Sequence, residues 1–309
     1  MNTEIKNQSK TRTAPVIIQD IQEFTQLRAQ LVANGKTVGF VPTMGALHPG
    51  HASLLRRARL ENDISVLSIY VNPTQFDNPE DLNKYPSTLE NDKSVAAAEG
   101  VDFILLPQYQ QIYPDCYHYK LSENELSQKL CGAHRPGHFD GVLTVVMKLL
   151  NIVQPTHAYF GEKDQQQLQL IRGMVDAFFM PVKIIACPIF RESDGLAMSS
   201  RNVRLSSLER KHAPQFYNAL QNSATAPGAR LELEALGFEV DYIEDVGGIR
   251  YGAIRLGSVR LIDNVQLDSA AASHAKMTDS SAQSSVSSSV KPFSNVTSQG
   301  LVPGERGPG

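Results

Sequence analysis

The sequence has little that would tie it to a secreted, membrane-spanning or nucleic-acid-coating protein. It holds only three cysteines, Cys116, Cys131 and Cys187. They show no CxxC spacing, which argues against a disulfide framework or zinc site and makes a reducing cytoplasm the expected compartment. No apolar run approaches the ~18–20 residues of a membrane span, and the opening MNTEIKNQSKTRT lacks the apolar core of a signal peptide. Neither sign of charge dominates: 29 Lys and Arg stand against 32 Asp and Glu, a net −3. A broad basic surface for nucleic acid or acidic membrane is therefore not expected. What is present is a soluble composition, 41% hydrophobic and 20% charged over 309 residues. At roughly 100–200 residues per domain, that length allows one large domain or two modest ones.

Composition breaks sharply near the end. Ser269–Gly309 contains 11 serines in 41 residues and closes on GLVPGERGPG. Such a stretch cannot bury enough apolar surface to offset ~1–2 kcal/mol of backbone entropy per residue, so 269–309 is expected to be disordered.

Ahead of that tail, short apolar runs alternate with amphipathic stretches. Thr37–Val41, Ile64–Val71, Val101–Leu106, Ala158–Phe160 and Val182–Ile189 read as strands. Ile18–Ala33, Ala52–Leu60, Ser87–Glu99 and Gln165–Phe179 read as helices, with Ser87 and Glu90 at a capping-box spacing. Phe139–Val153 is the clearest helix, because seven apolar residues recur at spacings of three and four. The alternation predicts an α/β fold with a doubly wound, mostly parallel sheet, whose site lies at the carboxyl ends of the strands. After Asp194 the elements shorten. A helical segment around Glu209–Asn222, a short helix-and-strand pattern after Pro227-Gly228 through Phe238–Ile243, a glycine-dense stretch and a strand near Val259–Ile262 suggest a smaller α+β unit. The expected division is 1–192, 193–268 and the tail 269–309.

The segment PTMGALHPGH, Pro42–His51, follows the first of these strands and opens a helix. Two imidazoles three residues apart would then stand at a helix N-terminus, whose unpaired N–H groups and partial positive charge favour phosphate. Imidazole donors can strengthen as charge builds on a phosphorus in transition. Further on, VNPTQF (Val71–Phe76) places Asn72 and Gln75 at a strand end, followed by Tyr85-Pro86. RPGHF sets Arg135 and His138 before the long helix, while His134 reads as a surface residue. FGEKD offers Lys163 as a mobile point charge and Asp164 as an acceptor for ribose hydroxyls. In DGLAMSSRN, Ser199 and Ser200 beside Arg201 could clamp phosphate from a lid-like loop.

Together these stretches resemble the pantoate–β-alanine ligase family of the HxGH nucleotidylyltransferase superfamily, over roughly Ile18 to Leu267. Arg260–Asn264 matches that family's closing RLIDN. The resemblance implies a Rossmann-like enzyme that condenses (R)-pantoate with β-alanine using ATP with Mg²⁺, through a pantoyl-adenylate. It further implies that His48, His51 and Lys163 are catalytic. The ATP site would comprise Met44, Gly45, Ala46, Leu47, His48, Pro49, Gly50 and His51, then Gly161, Glu162, Lys163 and Asp164. Phe190, Met198, Ser199, Ser200 and Arg201 would complete it. Gln75, Gln167, Asn72, Tyr85, Arg135 and His138 would bind the second substrate. A cytoplasmic homodimer without protein-bound metal, nucleic acid or membrane partner is implied as well. Between Asn222 and Gly257 the chain reads as shorter than the family pattern, so a shortened lid is expected. Two other readings stay open on these residues: a plain nucleotidylyltransferase, and a weakened nucleotide-binding homologue with an eroded lid.

Overall fold

The computed structural model describes residues 14–267. The expected disordered tail, 269–309, lies outside the described residues. Six strands form the main sheet: β1 (Val16–Ile18), β2 (Val38–Thr43), β3 (Ile64–Ile69), β4 (Phe103–Leu105), β5 (His157–Gly161) and β6 (Lys183–Cys187). Their order is β1-β4-β3-β2-β5-β6, and every pairing is parallel. The order reverses between β2 and β5, so the loops leaving Thr43 and Gly161 open into the crevice where such sheets bind ligands. This is the doubly wound sheet that the alternating pattern predicts.

The helices that cover it follow from their apolar spacing. His138–Val153 buries Phe139, Val142, Leu143, Val146, Leu149, Leu150 and Val153 against the sheet, each worth roughly 1.5–3 kcal/mol when fully covered. Three boundaries differ from expectation. The first helix begins at Ile21 rather than Ile18, because Asp20 caps it by accepting from the Gln22 and Glu23 amides. That releases Val16–Ile18 as edge strand β1, too short to show a period. The Ser87/Glu90 capping box does not form: Thr88 is the N-cap of Leu89–Ala98, and its hydroxyl donates to Asp92 instead. The helix expected over Glu209–Asn222 is two, Ser207–His212 and Pro214–Asn222. The break falls where Pro214 lacks an N–H to continue the ladder.

The C-terminal unit is an antiparallel sheet of β7 (Glu239–Val246), β8 (Ile249–Leu256) and β9 (Val259–Gln266). Strand β8 occupies the stretch whose glycines, Gly247, Gly248, Gly252 and Gly257, read as irregular chain in the sequence. Gly247 and Gly248 adopt φ of +61° and +82° and make the β7–β8 hairpin turn. Alternate residues of this sheet face opposite ways. Tyr242, Tyr251 and Ala253 join the main core. Ile243, Ile254, Leu261 and Val265 pack on Phe216, Leu220 and Leu233 of the neighbouring helices.

Candidate active site

A cavity of about 610 Å³ opens at the switch point and is lined from both sides of it. Its floor begins with the β2 loop. Thr43 donates its hydroxyl to the Ser68 carbonyl (2.8 Å) and receives the Gly45 N–H (3.3 Å), which fixes the loop's departure from the sheet. The chain then wraps around a buried carboxylate that no sequence signal indicated. Asp92 accepts from the amides of Ala46 (3.0 Å) and Leu47 (2.7 Å) and from the Thr88 hydroxyl (3.1 Å). Gly45 sits at φ +81°, and a Cβ there would come within 2.9 Å of the same carboxylate, so only glycine fits. Two amides that the N-terminal loop could have offered to an anion are thus engaged inside the protein.

His48 is the N-cap of the Pro49–Glu61 helix, and His51 is its third residue. The His51 Nδ1 accepts from the His48 backbone N–H at 3.4 Å, which leaves its ring proton on Nε2. The His48 Nδ1 is buried without a partner. An acceptor there is less costly than an unpaired donor, which places that ring's proton on Nε2 too. Burial, followed by the nearby Lys163 ammonium, lowers His48 to a pKa of about 4. Burial, then His48 and Lys163, lower His51 to about 3. Both rings are neutral at physiological pH, each with an Nε2–H rather than a charge to present. Gly50 serves them directly: a Cβ there would come within 2.9 Å of the His48 ring.

Opposite stands the glutamine corner. Asn72 is buried; its Nδ2 donates to Gln75 Oε1 (3.0 Å) and to the Gly141 carbonyl (3.2 Å), while its Oδ1 accepts from the Tyr113 hydroxyl (2.8 Å). Gln75 therefore has its carbonyl oxygen held and its NH₂ group left for a ligand. Arg135 donates to Asp77 (2.8 Å) and toward His138 Nε2 (3.0 Å). Because guanidinium can only donate, His138 Nε2 accepts, and its Nδ1–H donates to the Gln75 carbonyl at 2.7 Å. Burial, then the Arg135 charge, lower His138 to about 3. Arg135 and His138 line the cavity, and both are bonded to the backbone of Gln75. His134 is exposed, as expected.

The third wall is the Met198–Arg201 segment, where Tyr85 meets Ser200 at 3.4 Å. Arg201 is paired with Asp81 (2.8 Å), which also holds Arg204 (2.6 Å). Those arginines keep the Asp81 carboxyl below its usual range despite burial. Lys163 projects from the Glu162–Asp164 turn after β5, with Asp164 3.9 Å from its ammonium.

Of the residues proposed from sequence, the cavity gathers Met44, His48, Gly50, His51, Asn72, Gln75 and Tyr85. It also gathers Arg135, His138, Gly161, Lys163, Asp164, Gln167, Phe190, Met198, Ser199, Ser200 and Arg201. Gly45, Ala46, Leu47, Pro49 and Glu162 are not among its lining residues. Asp92, Asp81 and Tyr113 support the site with no signal in the sequence, since single polar residues within helices or strands carry no motif of their own, whereas Asn264 stood in the RLIDN match without a role. Among the described residues no group of three or more His, Cys, Asp or Glu is arranged to hold a metal ion. Likewise, none of the described helices is long and apolar enough to cross a membrane.

A doubly wound parallel sheet with an HxGH helix start at its switch point defines an α/β nucleotide-binding fold. The chain belongs, more narrowly, to the pantoate–β-alanine ligase family, whose sequence profile matches residues 16–266. It is 61% identical over 231 residues to the pantothenate synthetase of Bdellovibrio bacteriovorus, covering 75% of this chain and 92% of that one. It is 49% identical over 251 residues to that of Legionella pneumophila strain Corby, covering 81% and 99%. Among solved structures, the pantoate-beta-alanine ligase of Francisella tularensis, complexed with beta-gamma ATP and beta-alanine, superposes with a TM-score of 0.78 at 41% identity. That match covers 82% of this chain and 98% of the other. The pantothenate synthetase of Thermus thermophilus gives 0.75 at 39%, covering 81% and 99%.

Proposed function

We propose that this chain joins pantoate to β-alanine at the expense of ATP, by way of a pantoyl-adenylate. The observation that carries the reading is the pairing, in the lining of one cavity, of two neutral imidazoles and Lys163 with Gln75, whose carbonyl oxygen is already held by Asn72. The first group suits a polyphosphate and the second suits a small hydroxy acid. Family membership supports the substrates, as does a similar structure complexed with beta-gamma ATP and beta-alanine.

A free carboxylate is a poor acyl donor to an amine, because its oxygen leaves badly. Attack of the pantoate carboxylate on the α-phosphorus expels pyrophosphate and installs AMP as leaving group. The β-alanine amine then attacks the carbonyl, and AMP departs. No side chain need become covalently attached, so the work is positioning and charge stabilisation. In this reading His48 and His51 donate Nε2–H to oxygens that gain charge at phosphorus. Lys163, Ser199, Ser200 and Arg201 hold phosphates, and Gly161 and Asp164 border the ribose. Met44, Met198 and the Phe190 backbone frame the nucleotide. Gln75 and Gln167 bind pantoate, with Asn72, Tyr85, Arg135 and His138 shaping that corner. Mg²⁺ enters with ATP as part of the substrate, held by phosphate oxygens and water. Closure of residues 193–268 over ATP, a homodimer and a cytoplasmic location belong to the same reading.

The test is product analysis with ATP, Mg²⁺, pantoate and β-alanine, omitting each in turn. Pyrophosphate should require pantoate but not β-alanine, and AMP release should require both. AMP release independent of β-alanine would favour plain nucleotidyl transfer, and ATP binding without pyrophosphate would favour a weakened homologue.

A further inference from the structure

Strand β9 carries Asp263 and Asn264 in its second half, both buried and otherwise notable only as part of the RLIDN match. The Asn264 side-chain amide donates to two successive carbonyls, Glu162 at 2.9 Å and Lys163 at 3.0 Å. Both hydrogens of that NH₂ are thereby used. The two carbonyls belong to the single turn Glu162–Asp164 that carries Lys163 into the cavity. A one-turn 3₁₀ segment leaves most of its carbonyls without partners of its own, so what satisfies them decides where the turn sits. Here the partner comes from about a hundred residues later in the chain.

Asp263 does the matching task for the other nucleotide loop. It accepts a forked pair from Arg191, at 2.6 and 3.0 Å, and the Asn264 N–H at 2.8 Å. Arg191 also donates to the Gly195 and Asn264 carbonyls and lies 3.8 Å over the Tyr217 ring. It opens the hairpin in which the Met198 N–H returns to the Phe190 carbonyl, just before Ser199–Arg201. Adjacent residues on one strand therefore anchor the loop bearing Lys163 and the loop bearing Arg201.

We propose that Asn264 is a positioning residue for the adenylation step, acting through Lys163, with Asp263 setting the second loop through Arg191. The proposal rests on the reading that Lys163 contacts ATP phosphates. A lysine ammonium ends a flexible four-carbon stem, so its placement is only as good as that of its backbone. A shift of about 1 Å in such a group costs up to about 10²-fold in rate.

The experiment is single-turnover pyrophosphate release by the full chain, with saturating ATP, Mg²⁺ and pantoate, in a double-mutant cycle. Asn264→Ala should slow release by about tenfold to a hundredfold, the cost of letting the group it holds drift by up to about 1 Å. In a Lys163→Ala background it should cost no more than about twofold further, since the group it positions is gone. A purely structural residue would lower both backgrounds alike, so losses that multiply overturn the proposal. Asn264→Asp keeps the volume and replaces the donors by acceptors, and should be at least as slow. If the alanine variant does not fold, the aspartate variant carries the cycle. Slow release by Lys163→Ala with normal release by Asn264→Ala overturns the positioning role alone. Normal release by Lys163→Ala overturns the phosphate role of that lysine, and the proposal with it.

Discussion

The imidazole rings of His48 and His51 lie with centroids 4.0 Å apart and planes inclined at 37°, close enough for charge on one to disfavour charge on the other. With pKa values of about 4 and about 3, neither ring takes up a proton in the range where an ordinary histidine titrates. Pantoate-dependent pyrophosphate release should therefore show no inflection near pH 6.5 from this pair. A pH–rate profile checks this, and an inflection there that disappears in His48→Gln would count against neutral donors. His51→Ala should still lower the rate by ~10²–10³, the usual loss for one donor aimed at developing charge.

The same shifts predict how stability responds to acid. His48, His51 and His138 all titrate lower in the folded protein, His138 at about 3, than the ~6.5 expected in the unfolded chain. Below that value the unfolded state binds protons that the folded state refuses. The contribution of these residues is thus complete above about pH 6.5 and lost as pH falls toward 3–4. The urea midpoint should decline through that window, and His138→Gln should flatten the decline. An unchanged slope in that variant would show that His138 is not the group responsible.

How far the sequence revealed this arrangement depended on whether a residue sat in a contiguous motif. His48, His51, Lys163 and Arg201 were legible because short strings at strand ends carry their own context. The seven-residue apolar face of His138–Val153 likewise announced its helix. Strand β1 was not legible, since three residues show no period. Strand β8 was hidden because its turn glycines look like loop. The sequence placed Ala46 and Leu47 in the ATP site but gave no sign of Asp92, about 45 residues away along the chain, which takes their amides. Long-range hydrogen bonds leave no trace in local spacing, and they are what hold this site together.

Asp92 accordingly carries a prediction of its own. It is 1% exposed, and its removal orphans the Ala46 and Leu47 N–H groups. At ~1–3 kcal/mol for each buried donor left unpaired, Asp92→Ala should destabilise by about 2–6 kcal/mol. Asp92→Asn, which retains one acceptor oxygen, should lose less. Urea unfolding with an unchanged m-value measures the loss, and hydrogen exchange at Ala46 and Leu47 localises it. Unaltered exchange at both amides would refute the anchoring role.

Gly141 sets two opposing effects against each other, and their magnitudes decide the sign. It occupies the interior of the His138–Val153 helix, where propensity alone favours alanine over glycine by about 1 kcal/mol. A Cβ at that position would collide with the backbone carbonyl of Thr74 and lie 2.7 Å from the Gln75 nitrogen. Both belong to the loop whose Asn72 side chain bonds to the Gly141 carbonyl. Backbone held on both sides cannot yield as a flexible side chain would, and overpacking of this kind typically costs ~1–3 kcal/mol. Gly141→Ala should therefore destabilise on balance. It should also push Gln75 off its position and raise the KM for pantoate about tenfold or more, as misplaced contacts do, while leaving ATP binding largely intact. A raised urea midpoint with an unchanged pantoate KM would mean that the helix and the loop are not locked together at this glycine.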